Sequence, residues 1–151
     1  MAEAQARPRL LLPFLQPFYD AVIPLSWPLI RIAVGGTMLA HGYNRLVGTS
    51  IATAAEEFAK LGFEPAVLVA YVILINETLG AICVMLGLFT RFFAATLAIE
   101  LAVISLLFVH NGWAWAHHGW EYVFVWGLIF FAIALRGGGP YSLDRKIGWE
   151  L

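Results

Sequence analysis

Four long apolar stretches constrain the fold of this chain more than any other feature of its sequence. They cover about residues 24–43, 65–88, 92–110 and 119–136. A helix needs ~20 residues to cross the hydrocarbon core of a bilayer. Because backbone amides find no water partner in lipid, a helix is the form that satisfies them within each stretch. The pattern predicts an all-α fold built as a four-transmembrane-helix bundle.

The composition indicates lipid rather than water as the main solvent. Hydrophobic residues make up 61% of the 151 residues and charged residues 13%, whereas soluble domains have about 45–50% and about 25%. The formal net charge of −1 argues against a nucleic-acid partner, which requires a basic surface. One cysteine, Cys83, cannot form an internal disulfide or a CxxC redox pair. Redox chemistry would therefore need a bound molecule or a partner chain.

The charge distribution predicts how the bundle sits in the membrane. Residues 1–23 are expected to form an N-terminal segment at the interface or in the cytoplasm, residues 24–136 the membrane domain, and residues 137–151 a cytoplasmic tail. Six arginines and lysines flank one side of the predicted helices and two flank the other. The positive-inside rule then places both termini in the cytoplasm of a bacterial-type inner (plasma) membrane. The six are Arg7, Arg9, Arg91, Arg136, Arg145 and Lys146; the two are Arg45 and Lys60.

The connection after the first stretch carries a helical pattern of its own. Its apolar residues recur at helical spacing, opposite a face that holds Glu56, Glu57 and Lys60. This pattern predicts a short amphipathic helix that lies at the membrane interface and covers one end of the bundle. The apolar residues are Ile51, Ala54, Ala55, Phe58 and Leu61.

Three charged residues fall inside the apolar stretches: Arg31, Glu77 and Glu100. A charge at membrane depth is costly, so each is a functional hypothesis. A rise of ~1.5 Å per residue puts Arg31 and Glu77 at similar depths, with Gly35 and Gly80 about one turn beyond them to permit close helix packing. We therefore predict an Arg31–Glu77 pair in a buried polar pocket. The pair either only fixes the bundle or binds a polar headgroup or relays protons. Glu100 points away from the small residues of its own helix and is expected to serve either another pocket or another subunit.

A second polar layer lies near the outer ends of the helices. It contains His41, Asn44, Arg45, His110, Asn111 and Glu121. A histidine there suits proton exchange with a quinol, a hydrogen bond to a carbonyl, or a metal. His117 and His118, in the last loop, are interpreted as hydrated interfacial side chains. No spacing motif supports haem or metal, so neither is predicted. The residues predicted to bind a quinone-like headgroup or to relay protons are Arg31, His41, Glu77, His110 and Glu121, and no catalytic residue is assigned.

Five motifs in order along the chain carry a family resemblance. The first joins Arg31, Gly35, His41, Gly42 and Arg45. The others are FAKLG at 58–62, ETLG at 77–80 with LGLFTR at 86–91, HNGW at 110–113 with GWEY at 119–122, and GGGPYSLD at 137–144. Together they resemble the DoxX family from Arg31 to Asp144. The resemblance implies a four-helix integral membrane protein.

The resemblance also implies an association with redox systems. Members of that family include membrane subunits linked to quinone-dependent oxidoreductases such as thiosulfate:quinone oxidoreductase, and a subunit of a redox-stress complex with superoxide dismutase and a thiosulfate sulfurtransferase. It assigns no reaction to this chain. If the chain is enzymatic, it is expected to be a subunit of a quinone-linked oxidoreductase.

Three functional hypotheses follow. The leading one is a redox-complex subunit that interacts with quinone or quinol through a buried polar pocket, with no covalent cofactor. The second is a non-enzymatic assembly or binding subunit of a larger complex, and the third is a small transporter. The expected partners are the lipid bilayer, a quinone or other small lipophilic ligand, and protein partners or further copies of the chain.

Overall fold

The computed structural model describes residues 9–151, and its regular structure over that range is entirely helical. A 3₁₀ turn at Pro13–Leu15 leads into the longest helix, α1, which spans Gln16–Gly48. The remaining elements follow in chain order. They are α2 (Ile51–Lys60), α3 (Ala66–Ile75), a π-helical turn (Asn76–Gly80), α4 (Ala81–Leu86), α5 (Thr90–Phe108), 3₁₀ turns at Val109–Asn111 and Trp115–His117, α6 (Glu121–Arg136) and α7 (Leu143–Ile147).

Three segments are long and apolar enough to cross a membrane: Pro13–Gly48, Ala66–Leu86 and Thr90–Asn111. The second of these runs without a break through α3, the π-helical turn and α4, and is called the second membrane helix below. At 16 residues, α6 is ~24 Å long and falls short of that length. The chain is thus an all-helical membrane protein with three candidate spans among its described residues.

The first helix is longer than predicted at both ends, since α1 spans Gln16–Gly48 and the predicted stretch covers residues 24–43. Pro24 and Pro28 lie inside α1 instead of preceding it, so the predicted boundary at residue 24 falls within a helix. Proline favours the first turn of a helix, but membrane helices tolerate it in their interior because neighbouring groups satisfy the freed carbonyls. Arg7 lies outside the described residues.

Glycines set the register between α1 and the second membrane helix, which run antiparallel. A Cβ at Gly35 would lie 3.0 Å from the carbonyl oxygen of Ala81, and one at Gly42 would lie 2.7 Å from the backbone of Glu77. The backbones therefore approach closely at both levels. Gly36 has nothing within 4 Å of its Cβ position, so of the two adjacent glycines only Gly35 packs at this interface.

The turn between α4 and α5 marks one end of the bundle, called the turn end below. Gly87 adopts a φ of +72°, and a Cβ there would collide with the guanidinium of Arg31, so Gly87 has both a conformational and a packing reason to be glycine. Asp144, at the start of α7, accepts hydrogen bonds from the backbone N–H of Phe89 (2.7 Å) and of Thr90 (2.9 Å). A carboxylate from the C-terminal segment therefore caps α5.

The opposite end, called the loop end below, carries α2. Ala54 and Ala55 of α2 are buried against Ala66 and Ala70 of α3, with Ile51 and Phe58 packed beside them. The charged residues Glu56, Glu57 and Lys60 are exposed. The predicted amphipathic pattern is confirmed, except that Leu61 is 54% exposed.

Helix α6 packs along α5. A Cβ at Gly127 would lie 3.3 Å from the Leu101 side chain, and Leu97, Phe130 and Ile133 are fully buried in the main core. Arg91 donates hydrogen bonds to the final carbonyls of α6, including 2.6 Å to Leu135 O. Helix α6 is thus held against α5 along its length and capped at the turn end.

The register at Gly42 yields a stability prediction. Gly42→Ala should lower the free energy of unfolding by about 1–3 kcal/mol, because the added methyl meets backbone that cannot move aside. Gly36→Ala, six residues earlier on the same helix, should be neutral or stabilising by up to about 1 kcal/mol, because an open site gains helix propensity. Denaturant unfolding in mixed micelles measures both. Equal effects at the two positions would contradict the register.

Candidate ligand-binding site

The predicted pair between Arg31 and Glu77 does not form. Glu77 is instead bound by Arg45, whose Nε lies 2.9 Å from Oε2 and whose Nη2 lies 3.2 Å from Oε1. This is a two-bond geometry, which fixes both partners more strongly than a single contact. Side chains of a helix lean towards its N-terminus, so Arg45 reaches back from the last turn of α1 to the level of Gly42, where Glu77 packs. Arg45 is therefore the cation of this site.

Arg31 lies at the turn end of α1, ~16 Å along the helix axis from Gly42. It is 1% exposed and donates one hydrogen bond, from Nη2 to the carbonyl oxygen of Tyr141 at 3.2 Å. Its Nε and Nη1 have no hydrogen-bond partner in the described part of the chain. The predicted pairing was wrong because Arg31 was placed by counting from Pro24, whereas α1 begins at Gln16 and Glu77 packs at the level of Gly42.

The π-helical turn distributes two polar side chains to two different helices. Glu77 faces α1, while its neighbour Asn76 faces α5 and donates from Nδ2 to Oε2 of Glu100 at 2.6 Å. The Asn76 Oδ1 accepts a hydrogen bond from the Thr96 hydroxyl at 2.7 Å. Single π-helical turns inside α-helices frequently occur at functional sites. We call Arg45, Asn76, Glu77, Thr96 and Glu100 the polar cluster.

Glu100 is the least satisfied member of the polar cluster. The residue is 6% exposed, and its Oε1 has no hydrogen-bond partner among residues 9–151. Its carboxyl group also lies near enough to that of Glu77 for the two to interact electrostatically. The cluster thus contains two carboxyl groups and one cation in an apolar environment, where an unpaired charge is costly.

A cavity of about 500 Å³ adjoins the polar cluster. It occupies the gap between α3 and α5, and Phe58 and Phe63 line its loop end. Its polar contributors are Arg45, Asn76, Thr96 and Glu100, and the rest of its wall is apolar. An apolar pocket of this size with a few convergent polar groups is the usual form of a small-molecule site.

The other predicted site residues lie elsewhere. His41 and His110 are exposed, and Glu121 accepts a hydrogen bond from the Trp115 backbone N–H at 3.2 Å within the last loop. None of the three lines the cavity. The structure therefore brings one of the five predicted site residues, Glu77, into the polar cluster. Residues 9–151 contain no group of three or more histidine, cysteine or acidic side chains placed to hold a metal ion.

Two sequence signals for the missed residues were present. Thr96 and Glu100 are four residues apart and so share one face of a helix, and Asn76 is an amide beside Glu77 in the middle of an apolar run. Buried amides usually carry hydrogen bonds to other polar groups. Arg45 belongs to the outer polar layer and to the first family motif, but the predicted first stretch ends before it, so the sequence did not indicate it as the partner of Glu77.

Comparisons with known proteins find a matching family model and similar proteins. The DoxX family model matches residues 26–111. An uncharacterized protein of Haemophilus influenzae is 31% identical over 128 residues, which cover 82% of this chain and 91% of that protein. The inner membrane protein YphA of Escherichia coli is 25% identical over 142 residues, which cover 85% of this chain and 94% of that protein. No solved structure matches the chain.

The choice of partner for Glu77 can be tested by double-mutant cycles. Arg45→Gln and Glu77→Gln should show a coupling energy of about 1–3 kcal/mol in unfolding, because each single change removes the same two-bond ion pair. The matched cycle with Arg31→Gln and Glu77→Gln should be additive within about 0.5 kcal/mol. Coupling in the second cycle and additivity in the first would show that Glu77 pairs with Arg31, as the sequence predicted, and not with Arg45.

Proposed function

The chain belongs to the DoxX family of membrane proteins, and from that premise we propose that it is a membrane subunit of a redox system that binds a quinone-type headgroup in the cavity between α3 and α5. The observation that carries this proposal is the convergence of Arg45, Asn76, Thr96 and Glu100 on one apolar cavity of about 500 Å³. A lipophilic ring with polar oxygens matches both parts of that wall.

The proposed route of entry into the cavity is from the lipid. Several of the side chains that line it are more than half exposed in the isolated chain, among them Val72 at 54%, Phe92 at 52% and Ile99 at 65%. In a bilayer such apolar surface faces acyl chains. A quinone with an isoprenoid tail would enter from the membrane and leave its tail in the lipid.

The polar cluster offers hydrogen bonds that suit a quinone ring. The Arg45 side chain is 27% exposed. Its two bonds to Glu77 use Nε and Nη2, so the Nη1 group is left as a donor. A ring carbonyl oxygen is an acceptor for such a donor. The quinone would supply electron-transfer capacity, while Arg45 and Glu100 would hold and orient its oxygens.

For the membrane arrangement we propose four spans, with α6 as the fourth and α2 lying at the interface of the loop end. The close packing of α6 along α5 supports this, and a span shorter than the bilayer can be accommodated by local thinning. The turn end carries Arg31 as well as Arg91, Arg136, Arg145 and Lys146, which favours the cytoplasm for that end. The inner membrane location named for the Escherichia coli relative agrees with this proposal.

An assembly subunit is the second candidate function. A separate groove of about 540 Å³ runs along α5 and α6, lined by Ala95, Ala98, Ala102 and Gly127. Small residues let a helix from another chain approach closely in lipid. This function is compatible with the first, because a redox subunit also needs a partner that supplies electrons.

The binding proposal predicts a defined mutational pattern. Glu100→Leu should weaken binding of a short-chain quinone about 10-fold or more, since a lost polar contact is worth about 1–3 kcal/mol. Val103→Trp should weaken it as strongly by filling the cavity. Quinone titration of purified protein in nanodiscs, followed by quenching of tryptophan fluorescence or by calorimetry, gives the affinities.

Two controls match these variants. Glu121→Gln changes a carboxylate outside the cavity, and Leu128→Trp adds the same ring to the groove between α5 and α6. Both should leave the affinity unchanged. If Glu100→Leu and Val103→Trp bind quinone as tightly as the wild type, the cavity is not the quinone site.

The four-span arrangement predicts where cysteines can be labelled. On a Cys83→Ala background, Ala52→Cys in α2 and Lys146→Cys in α7 should react with a membrane-impermeant maleimide from opposite sides. Both positions are exposed, and three spans would lie between them in the chain: the second membrane helix, α5 and α6. Labelling of intact cells and of opened cells distinguishes the sides. If α6 did not cross the membrane, both positions would react from the same side.

A further inference from the structure

The polar cluster has an unequal number of charges. Arg45 is one cation, and Glu77 and Glu100 are two acids, all in contact with one another directly or through Asn76. If both acids were ionised, the cluster would hold a net negative charge beside an apolar cavity. Desolvation makes such a charge costly. A single proton restores neutrality.

We propose that the polar cluster holds one proton on Glu100, and that Glu100 is thereby the hydrogen-bond donor to a ligand carbonyl in the cavity. The first part concerns the chain alone. The second part rests on the proposed function and names the ligand class, a neutral lipophilic molecule with a carbonyl acceptor. The proton stays on Glu100 when such a ligand binds, so binding requires no bond to break.

The hydrogen bonds indicate which acid carries the proton. Both oxygens of Glu77 accept from Arg45, at 2.9 Å and 3.2 Å. That arrangement uses an ionised carboxylate, which is acceptor only. Glu77 is 3% exposed, and the guanidinium of Arg45 balances its charge.

Glu100 has a free oxygen where a proton can reside. Its Oε2 accepts from Asn76 Nδ2, and the orientation of that amide is set by the Thr96 hydroxyl at Asn76 Oδ1. Its Oε1 lacks a partner among the described residues. An ionised Oε1 would be a buried acceptor without a donor, next to a second carboxylate. A protonated carboxyl group is neutral and carries one donor, and Glu100 lies in the wall of the cavity.

The charged groups that surround the cluster do not change this balance. From α1 the group is Arg45, and from the π-helical turn it is Glu77. From α2, Glu57 acts on Arg45 at longer range, but it is exposed and its charge is screened by solvent. Asn76 and Thr96 are neutral. Charge counting therefore leaves one proton for the cluster.

Infrared spectroscopy of the ligand-free chain tests the proposal. A protonated carboxyl group gives a C=O stretch that is absent from a carboxylate and shifts in D₂O. Protein in a maltoside detergent, which contains neither ester nor carboxyl groups, should show one such deuterium-sensitive band at neutral pH. The band should vanish in Glu100→Gln and persist in the matched control Glu57→Gln.

Two further variants test whether the number of protons follows from the charges of the polar cluster, with one proton for each acid that lacks a cation. Glu77→Gln should also lose the band, because Glu100 is then ionised opposite Arg45. Arg45→Gln should double the band, because two acids without a cation need two protons. If Arg45→Gln does not fold, as size-exclusion chromatography would show, the other variants decide the matter.

Three results would overturn the proposal: a wild-type spectrum without the band, a band that survives Glu100→Gln, or a band that survives Glu77→Gln. None of these measurements contains a quinone. If quinone does not bind but the band is present, the quinone proposal fails and the proton on Glu100 stands. If quinone binds but the band is absent, the proton on Glu100 is wrong and the quinone proposal stands.

Discussion

The ion pair between Arg45 and Glu77 joins α1 to the middle of the second membrane helix, and the arrangement of the cavity depends on it. An ion pair away from bulk water adds little net stability compared with well-packed apolar residues of similar volume. The pair therefore selects one rotation of α1 rather than strengthening the bundle. At that rotation Gly42 packs against the backbone of Glu77. The neighbouring Asn76 then faces α5 and Glu100.

The turn end is organised by a different arginine with a structural task. Arg31 lies against Gly87 and donates to Tyr141 of the C-terminal segment, while Asp144 from the same segment caps α5. The tail is thereby folded back onto the bundle. The two arginines of α1 thus serve two levels of the protein: Arg31 closes the turn end, and Arg45 builds the polar cluster beside the π-helical turn.

Part of this arrangement could be predicted from the sequence, because some features depend on local pattern and others on pairing. Apolar length predicted the helices, and helical spacing predicted the buried face of α2, where Ala54 and Ala55 lie. Charge at membrane depth singled out Glu77, which the structure places in the polar cluster. The predicted orientation of Glu100 was also confirmed. Glu100 faces the second membrane helix, whereas the small residues Ala98 and Ala102 of α5 face α6.

The partner of Glu77 could not be predicted in the same way. It depends on where α1 begins, and Pro24 suggested a start that the helix passes through. It also depends on a π-helical turn, which adds a residue to the turn and leaves no recognised mark in a single sequence. His41 and His110 are chemically suited to a quinol site, but helix rotation leaves both exposed. Pairing between helices is a property of the whole fold, and local patterns do not encode it.

The most direct test of this arrangement is a solid-state NMR measurement of dipolar coupling between guanidinium nitrogen-15 and glutamate carboxyl carbon-13 nuclei in lipid bilayers. A strong coupling that Glu77→Gln abolishes is expected, because the Arg45 Nε lies 2.9 Å from Oε2 of Glu77. That signal should persist in Arg31→Lys and disappear in Arg45→Lys. Its loss in Arg31→Lys, with retention in Arg45→Lys, would contradict the polar cluster and the cavity built on it.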